Sequence, residues 1–317
     1  MRKRIIALAL TFTVAVTGLV SCGSEEEKTS YKHKYESMID GKIFSVAYSP
    51  EKNDGEKYTD EELIAIDKGA EKAVADALSF VSAEYNNSLA DLNKQVDRIF
   101  DADARVVELL SEVYKLSSFT GGAFKPVVGE EETYDPSALI SIEENMLVKH
   151  NKDATVDLSG IAESYALSFA AESIKSAGIE EAIIKYGSSV ARIDSREEKT
   201  PVEVAIHFAD KDSESDAVIN LEGGYLSTCT KNDEVKDNVS GGEIEALHNT
   251  VAVISENGMI SSCLAKVFRG METGEIKKLY ENKAFEFEAV IVEEDGTVVC
   301  TQGIIDEGLF TEETEEE

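Results

Sequence analysis

Apolar residues along this chain recur at strand spacing in some stretches and at helix spacing in others. Ile43 to Tyr48 (IFSVAY) predicts a strand. Thr59-Asp60-Glu61-Glu62 has the form of a capping box, and Leu63, Ile66, Ala70, Val74, Ala77, Leu78 and Val81 then follow at helical intervals. A second helix fits Ala104 to Leu116, with Val106, Leu109, Leu110 and Val113 on one face. A third begins near Ile161 and ends at Gly178, a natural C-cap residue. Ala182 to Tyr186, Pro201 to Phe208, Ala217 to Leu221, Thr250 to Ser255 and Glu286 to Val292 read as strands. The last of these pairs with Thr297 to Thr301 across Glu294-Asp295-Gly296, and Met259 to Tyr280 is helical with a glycine interruption. The pattern predicts an α+β fold, mixed β-sheet layers flanked by helices, in one unit with two lobes.

The N-terminus follows another logic. Arg2, Lys3 and Arg4 precede an apolar stretch from Ile5 to Val20 that lacks any acidic residue. A charged segment before a short apolar one is a secretory signal, and this one is short for a spanning helix. It ends in Leu19-Val20-Ser21-Cys22, which resembles a bacterial lipobox, so Cys22 is the expected lipidation site and mature N-terminus. The expected divisions are a signal peptide at 1–21, an acidic tether at 22–38, a folded domain at 39–305 and an acidic tail at 306–317. Acyl chains on Cys22 imply a membrane-anchored, exported protein of the bacterial cell envelope.

Charge narrows the partners. The chain carries 31 Lys and Arg against 63 Asp and Glu, a net of −32. The leader takes three basic residues with it, leaving 28 against 63 and a net of −35. Such a chain repels phosphate backbones, which excludes nucleic acid as a partner. Besides Cys22 there are Cys229, Cys263 and Cys300, an odd number without CxxC spacing, which argues against a disulfide framework and a zinc site. Four His and no HExxH or GxSxG leave zinc-protease and Ser-hydrolase chemistry without support.

Several glycines stand where a ligand could approach backbone. Asp157-Leu158-Ser159-Gly160-Ile161-Ala162 sets an acid and a glycine directly before a helix, and Gly121-Gly122-Ala123-Phe124 follows the second helix. Each reads equally well as a structural turn or cap. Taken in order, however, the segments resemble the ApbE-type FAD:protein FMN transferases, a family of bacterial envelope lipoproteins. The matches are Ser82, Tyr85, Ser88 and Leu92-Asn93; then Gly122-Ala123-Phe124 with Pro126; then Asp157-Leu158, Gly160-Ile161-Ala162 and Tyr165-Ala166. Gly178-Ile179 leading to Gly187, and Leu226-Ser227-Thr228, complete them from about Ile39 to Ile304. The resemblance implies transfer of FMN from FAD to a Thr of an acceptor protein, with release of AMP and Mg²⁺ at the pyrophosphate. It places Tyr85, Ala123, Phe124 and Asp157 at flavin-nucleotide contacts, and the Gly160 carbonyl at the metal.

The departures bear on activity. The family's Ala-Asp-Ala-x-x-Thr metal motif aligns with Ser261-Ser262-Cys263-Leu264-Ala265-Lys266, so Ser262 replaces the anionic ligand and Lys266 the Thr ligand. A neutral hydroxyl holds Mg²⁺ weakly and an ammonium not at all. Glu163 stands for a Lys, Lys125 for an Asp, Asp40-Gly41-Lys42 for Met-Gly-Thr and Gly187-Ser188-Ser189 for Gly-Gly-Asp. The family's His-Ile-Ile-Asp-Pro segment has no counterpart, and His248 does not stand in for it. Three outcomes stay open: Lys266 and Lys125 supply the missing positive charge for an anion; Glu163 pairs with one of them; or all are simply solvated. The expected protein is an FMN-transferase-family lipoprotein with a degraded Mg²⁺ motif and FAD as substrate or ligand. The alternative is a catalytically silent flavin-binding or scaffold lipoprotein, and no catalytic residue is assigned. An open, positively lined cleft would favour nucleotide binding, and a collapsed one a scaffold.

Overall fold

The computed structural model describes residues 31–312 apart from 53–54, 83–87, 95–98, 130–133, 145, 197–198, 210–216 and 236–242. Tyr85, Cys22, the signal segment, the Gly241-Gly242 turn and the end of the tail lie outside the described residues. Eight strands form one sheet in chain order: β1 (His33–Ile39), β2 (Lys42–Tyr48), β3 (Glu181–Tyr186), β4 (Ser189–Asp194), β5 (Gly224–Thr230), β6 (His248–Ser255), β7 (Glu288–Glu293) and β8 (Val298–Cys300). Every neighbouring pair in it is antiparallel. The main helices are α1 (Asp60–Val81), α2 (Ala104–Phe119), α3 (Ala162–Ser176), α4 (Gly258–Arg269) and α5 (Thr273–Asn282), of which the last four reach the cleft. This is the α+β fold expected, with β layers flanked by helices.

Local signals set the helix limits. The Thr59 hydroxyl accepts the Glu62 N–H at 3.2 Å while the Glu62 carboxylate accepts the Thr59 N–H at 2.7 Å, the reciprocal capping box that starts α1. Gly270 caps α4 and separates it from α5, the break expected within 259–280.

Alternation along the strands divides the packing. Ala191 and Ile193 of β4 join α1 and α3 in one core, where Ala70, Val74, Ala166 and Ala170 meet Phe44, Val46 and Ile184. Val190 points into another, shared with a small sheet of Val202–Ile206, Ala217–Leu221 and Phe310–Glu312. Strand β7 is buried on both faces, with Ala289 and Ile291 against α4 and Val290 and Val292 against the small sheet. That explains its unbroken apolar run. Each fully buried Leu or Ile contributes about 1.5–3 kcal/mol.

Two boundaries differ from the expectation. Strand β1 starts at His33, within the stretch read as tether, and pairs along its whole length with β2. Its sequence, HKYESMI, alternates between half-buried and exposed positions and buries only Ile39, so it lacks an apolar stripe. It is held by polar contacts instead: His33 Nε2 to Asp67 at 2.9 Å, and Tyr35 to Glu71 at 2.8 Å. At the other end, Phe310–Glu312 pairs with Ala217–Leu221, inside the stretch read as tail. Among the described residues no helix is long and apolar enough to cross a membrane.

Candidate functional site

A cleft of about 1250 Å³ opens between the loop after α2, the start of α3 and the exposed side of α4. The loop Gly121–Phe124 forms one wall and is fixed from behind. The Ser117 hydroxyl donates to the Phe124 carbonyl at 2.8 Å, and the Thr120 hydroxyl accepts the Phe124 N–H at 3.1 Å. The opposite lip, Asp157–Gly160, is held by Asn93, whose carboxamide stands in for a strand neighbour. Its Nδ2 donates to the Val156 carbonyl at 2.9 Å and its Oδ1 accepts the Val156 N–H at 2.7 Å. Gly160 is a glycine for packing reasons: a Cβ there would lie 3.0 Å from the Phe124 ring.

The polar end of the cleft is built around the Gly160 carbonyl. It accepts the Lys266 ammonium at 3.1 Å and the Ser262 hydroxyl at 3.1 Å, and Lys266 also reaches the Ser159 carbonyl at 3.3 Å. One helical turn separates positions 262 and 266, so α4 delivers both side chains to one oxygen. Beside them, Glu163 of the first turn of α3 forms an ion pair with Lys42 and accepts the Ser188 N–H at 2.9 Å and the Ser188 hydroxyl at 3.0 Å. Burial alone would raise the Glu163 pKa. The charge of Lys266, the Lys42 hydrogen bond and the Ser188 N–H outweigh it and hold the carboxyl below the usual range. Away from these groups the walls carry Phe119, Val267, Met271 and Leu279, with the charged Asp233, Glu234, Glu275 and Lys278 among them.

Behind the polar end lies a buried hydroxyl cluster. Ser164 of α3 donates to Ser189 of β4 at 2.6 Å, while Ser227 of β5 lies 3.0 Å from Ser164, 2.9 Å from Ser189 and 3.0 Å from Ser261 of α4. Ser261 in turn donates to the Gly258 carbonyl at 3.0 Å. Three of these serines are chain neighbours of residues on the cleft wall, Glu163, Ser188 and Thr228, and Ser261 precedes Ser262, which holds the Gly160 carbonyl. The cluster thus fixes two strands and two helices at the point where they meet the cleft. Arg269, at the end of α4, donates to the carbonyls of Thr230, Ile244 and Lys231 at 3.0, 2.6 and 3.0 Å and so ties both described ends of the β5–β6 loop to α4.

Of the residues proposed from sequence, Ala123, Phe124, Lys125, Gly160, Glu163 and Lys266 come together on the cleft walls, and Ser262 lies behind Gly160. Asp157 is not on the lining; its carboxylate accepts the Ser159 N–H at 2.9 Å and shapes the lip. Lys125 lies with its ammonium 6.0 Å from the Tyr134 ring centroid. Of the three alternatives left open, the pairing of Glu163 with Lys266 or Lys125 is corrected in its partner: the ion pair is with Lys42, whose side chain the β1–β2 turn brings to the cleft, while the Lys266 charge acts on Glu163 from nearby. His248 is not on the lining; its ring is held between Glu293 at 2.8 Å and the carbonyl of the wall residue Met271 at 2.7 Å. Cys229 and Cys263 line the cleft as buried free thiols; burial pushes the first up to about 12 and the second higher still. Sequence reasoning missed the Lys42 and Ser188 contacts to Glu163, the serine cluster and Arg269. The Asp40-Gly41 turn, with both residues at positive φ, was the available signal for Lys42. Among the described residues, no group of three or more His, Cys, Asp or Glu gathers to hold a metal.

The fold has solved counterparts. A flavin transferase ApbE of Vibrio cholerae matches with a TM-score of 0.66 at 17% identity, covering 86% of this chain and 99% of its own. The ApbE protein of Thermotoga maritima matches with a TM-score of 0.68 at 18% identity, covering 86% and 98%. The apo form of the Pseudomonas stutzeri flavinyl transferase ApbE gives 0.70 at 19% identity, covering 87% and 96%. No curated protein sequence matches. The sequence profile of the ApbE family matches residues 131–291, half of the chain. The chain, a divergent one by these identities, belongs to the ApbE family.

Proposed function

We propose that this protein binds a flavin nucleotide in the cleft, with the phosphates at the Lys266 end and the aromatic part along Phe119, Val267, Met271 and Leu279. The observation that carries the reading is the Lys266 ammonium, 3.1 Å from the Gly160 carbonyl. In the resembled family that carbonyl reaches a metal. Here a cation tethered to α4 holds the same oxygen and the Ser159 carbonyl, which leaves one N–H of a residue on the cleft wall for a ligand. The residues do not fit Mg²⁺, which needs oxygen ligands in octahedral array. Gly160 already accepts two donors, and the aligned side chains are a hydroxyl and an ammonium. Transfer of FMN from FAD requires a Thr oxygen to attack the FMN phosphorus as AMP leaves. That step needs charge neutralisation on both sides of the phosphorus. At the Gly160 oxygen Lys266 is the ammonium in place, and the Lys42 ammonium beside it is already paired with Glu163, so FAD is held without turnover.

The leader, Cys22 and the acidic segment after it support export and a lipid anchor, with the domain at a membrane surface of the cell envelope. An acceptor protein with a Thr site is the partner if transfer persists. The open cleft supports nucleotide binding, with or without transfer, over a bare scaffold.

Titration of the full-length protein in detergent with FAD, followed by flavin fluorescence with and without EDTA, tests the binding. Wild type should bind equally well in both conditions. Lys266→Met should weaken binding by roughly 10- to 100-fold, as expected for a hydrogen bond to a charged group of about 1.5–3 kcal/mol. Affinity lost with EDTA, or unchanged in Lys266→Met, would overturn the reading.

A further inference from the structure

The contacts of Glu163 are those of a bound anion. One carboxylate oxygen takes a backbone N–H and a hydroxyl from Ser188, at 2.9 and 3.0 Å, and the other takes the Lys42 ammonium. A main-chain N–H, a hydroxyl and an ammonium converging on a pair of oxygens is the donor set that receives a phosphoryl group. The donors come from two separate elements, the β1–β2 hairpin and the β3–β4 turn, so the cradle does not depend on a helix end. Gly187 completes it: its φ is +57°, and a Cβ would lie 2.4 Å from the Glu163 carboxylate, so the oxygens press directly on the turn. Lys42, Glu163, Gly187, Ser188 and Lys266 all line the same cleft.

Helix-start acids usually remain solvated near their own N-terminal N–H groups. Glu163 instead reaches across to a neighbouring turn, and its side chain is only 13% exposed whereas that of Lys42 is 49% exposed. Removing the carboxylate would leave the cradle with its donors, the Lys42 ammonium among them, open to the cleft and the Lys266 ammonium nearby. We infer that the Ser188–Lys42 cradle is an anion subsite for a phosphate group, which this chain fills with its own Glu163 carboxylate. A ligand phosphate gains the subsite only by displacing that carboxylate, so Glu163 limits how many phosphates the cleft holds. The inference rests on the flavin-nucleotide reading for the identity of the natural ligand, but the cradle's preference for an anion does not.

Isothermal titration of the full-length protein in detergent, with inorganic pyrophosphate and with FAD, tests it. Glu163→Gln should bind pyrophosphate at least roughly tenfold more tightly than wild type, because an anionic competitor is removed while its shape is retained. Adding Lys42→Met to Glu163→Gln should reverse most of that gain. As Lys42 is an exposed side chain, circular dichroism of Lys42→Met alone should match wild type. Pyrophosphate binding that is unchanged or weaker in a folded Glu163→Gln overturns the inference. So does a gain that survives Lys42→Met. A gain in Glu163→Gln with FAD affinity unchanged by Lys266→Met would keep the subsite and reject the flavin-nucleotide reading. Loss of FAD binding in Lys266→Met, with no gain in Glu163→Gln, would reject the subsite alone.

Discussion

Replacing Ser227 and Ser261 in turn by Ala distinguishes an ordered hydroxyl network from four serines that are merely packed. All four hydroxyls are sealed from solvent. Each carries one hydrogen, so the direction of donation is constrained. Ser261 donates to the Gly258 carbonyl and Ser164 to Ser189, which leaves Ser189 to donate to Ser227, and Ser227 to Ser261 or back to Ser164. In Ser261→Ala the remaining three close into a ring with every donor used, and the loss is a single bond of about 1 kcal/mol. In Ser227→Ala, Ser189 has no acceptor left. An orphaned buried donor costs about 1–3 kcal/mol beyond the lost bond, so the total is about 2–4 kcal/mol. At this chain size about 2 °C of Tm corresponds to each kcal/mol, giving a drop of roughly 4–8 °C for Ser227→Ala and about 2 °C for Ser261→Ala. Urea unfolding followed by circular dichroism, with calorimetric Tm values alongside, measures both. Equal destabilisation by the two substitutions, or a larger effect at Ser261, would refute the donor accounting.

Other measurements probe separate parts of the structure. Thiol labelling of the native protein at pH 8, read by peptide mass spectrometry, should modify Cys300 well before Cys229 and Cys263, which are sealed by burial; all three should react after denaturation. Early labelling of Cys229 would contradict the packing. Glu62 is lowered from 4.5 to about 2 by the Thr59 N–H and Lys52, and Asp103 from 3.8 to about 2 by Arg105. Both folded values lie below the unfolded ones, so their stabilisation is complete above pH about 4.5 and fades as pH falls towards 2. Thermal midpoints across that window should fall less steeply in Glu62→Gln than in wild type, and identical profiles would count against the capping box.

The helices and the central strands are legible in the sequence because each buries a periodic apolar face. Val74, Ala77, Leu78 and Val81 report α1, and the break at Gly270 reports the end of α4. Strand β1 is not legible, since an edge strand held by His33, Tyr35 and their carboxylate partners shows no hydrophobic contrast. The same limit applies at the cleft. Its walls follow from the glycine loops and the helix start, whereas Glu163 and Lys42 are 121 positions apart and only the folded sheet brings them together. The serine cluster leaves no periodic mark, because small polar residues recur in turns and caps as often as in buried networks.

The central claim is that a tethered ammonium has taken the place of a catalytic cation. The full-length protein in detergent, incubated with FAD, Mg²⁺ and a Thr-containing acceptor peptide, tests it most directly. Released AMP is measured by chromatography, and flavin carried on the peptide by in-gel fluorescence. The account predicts FAD retained on the protein, no AMP and no flavinylated peptide, with the same result in EDTA. AMP release matched by covalent FMN on the peptide would contradict it.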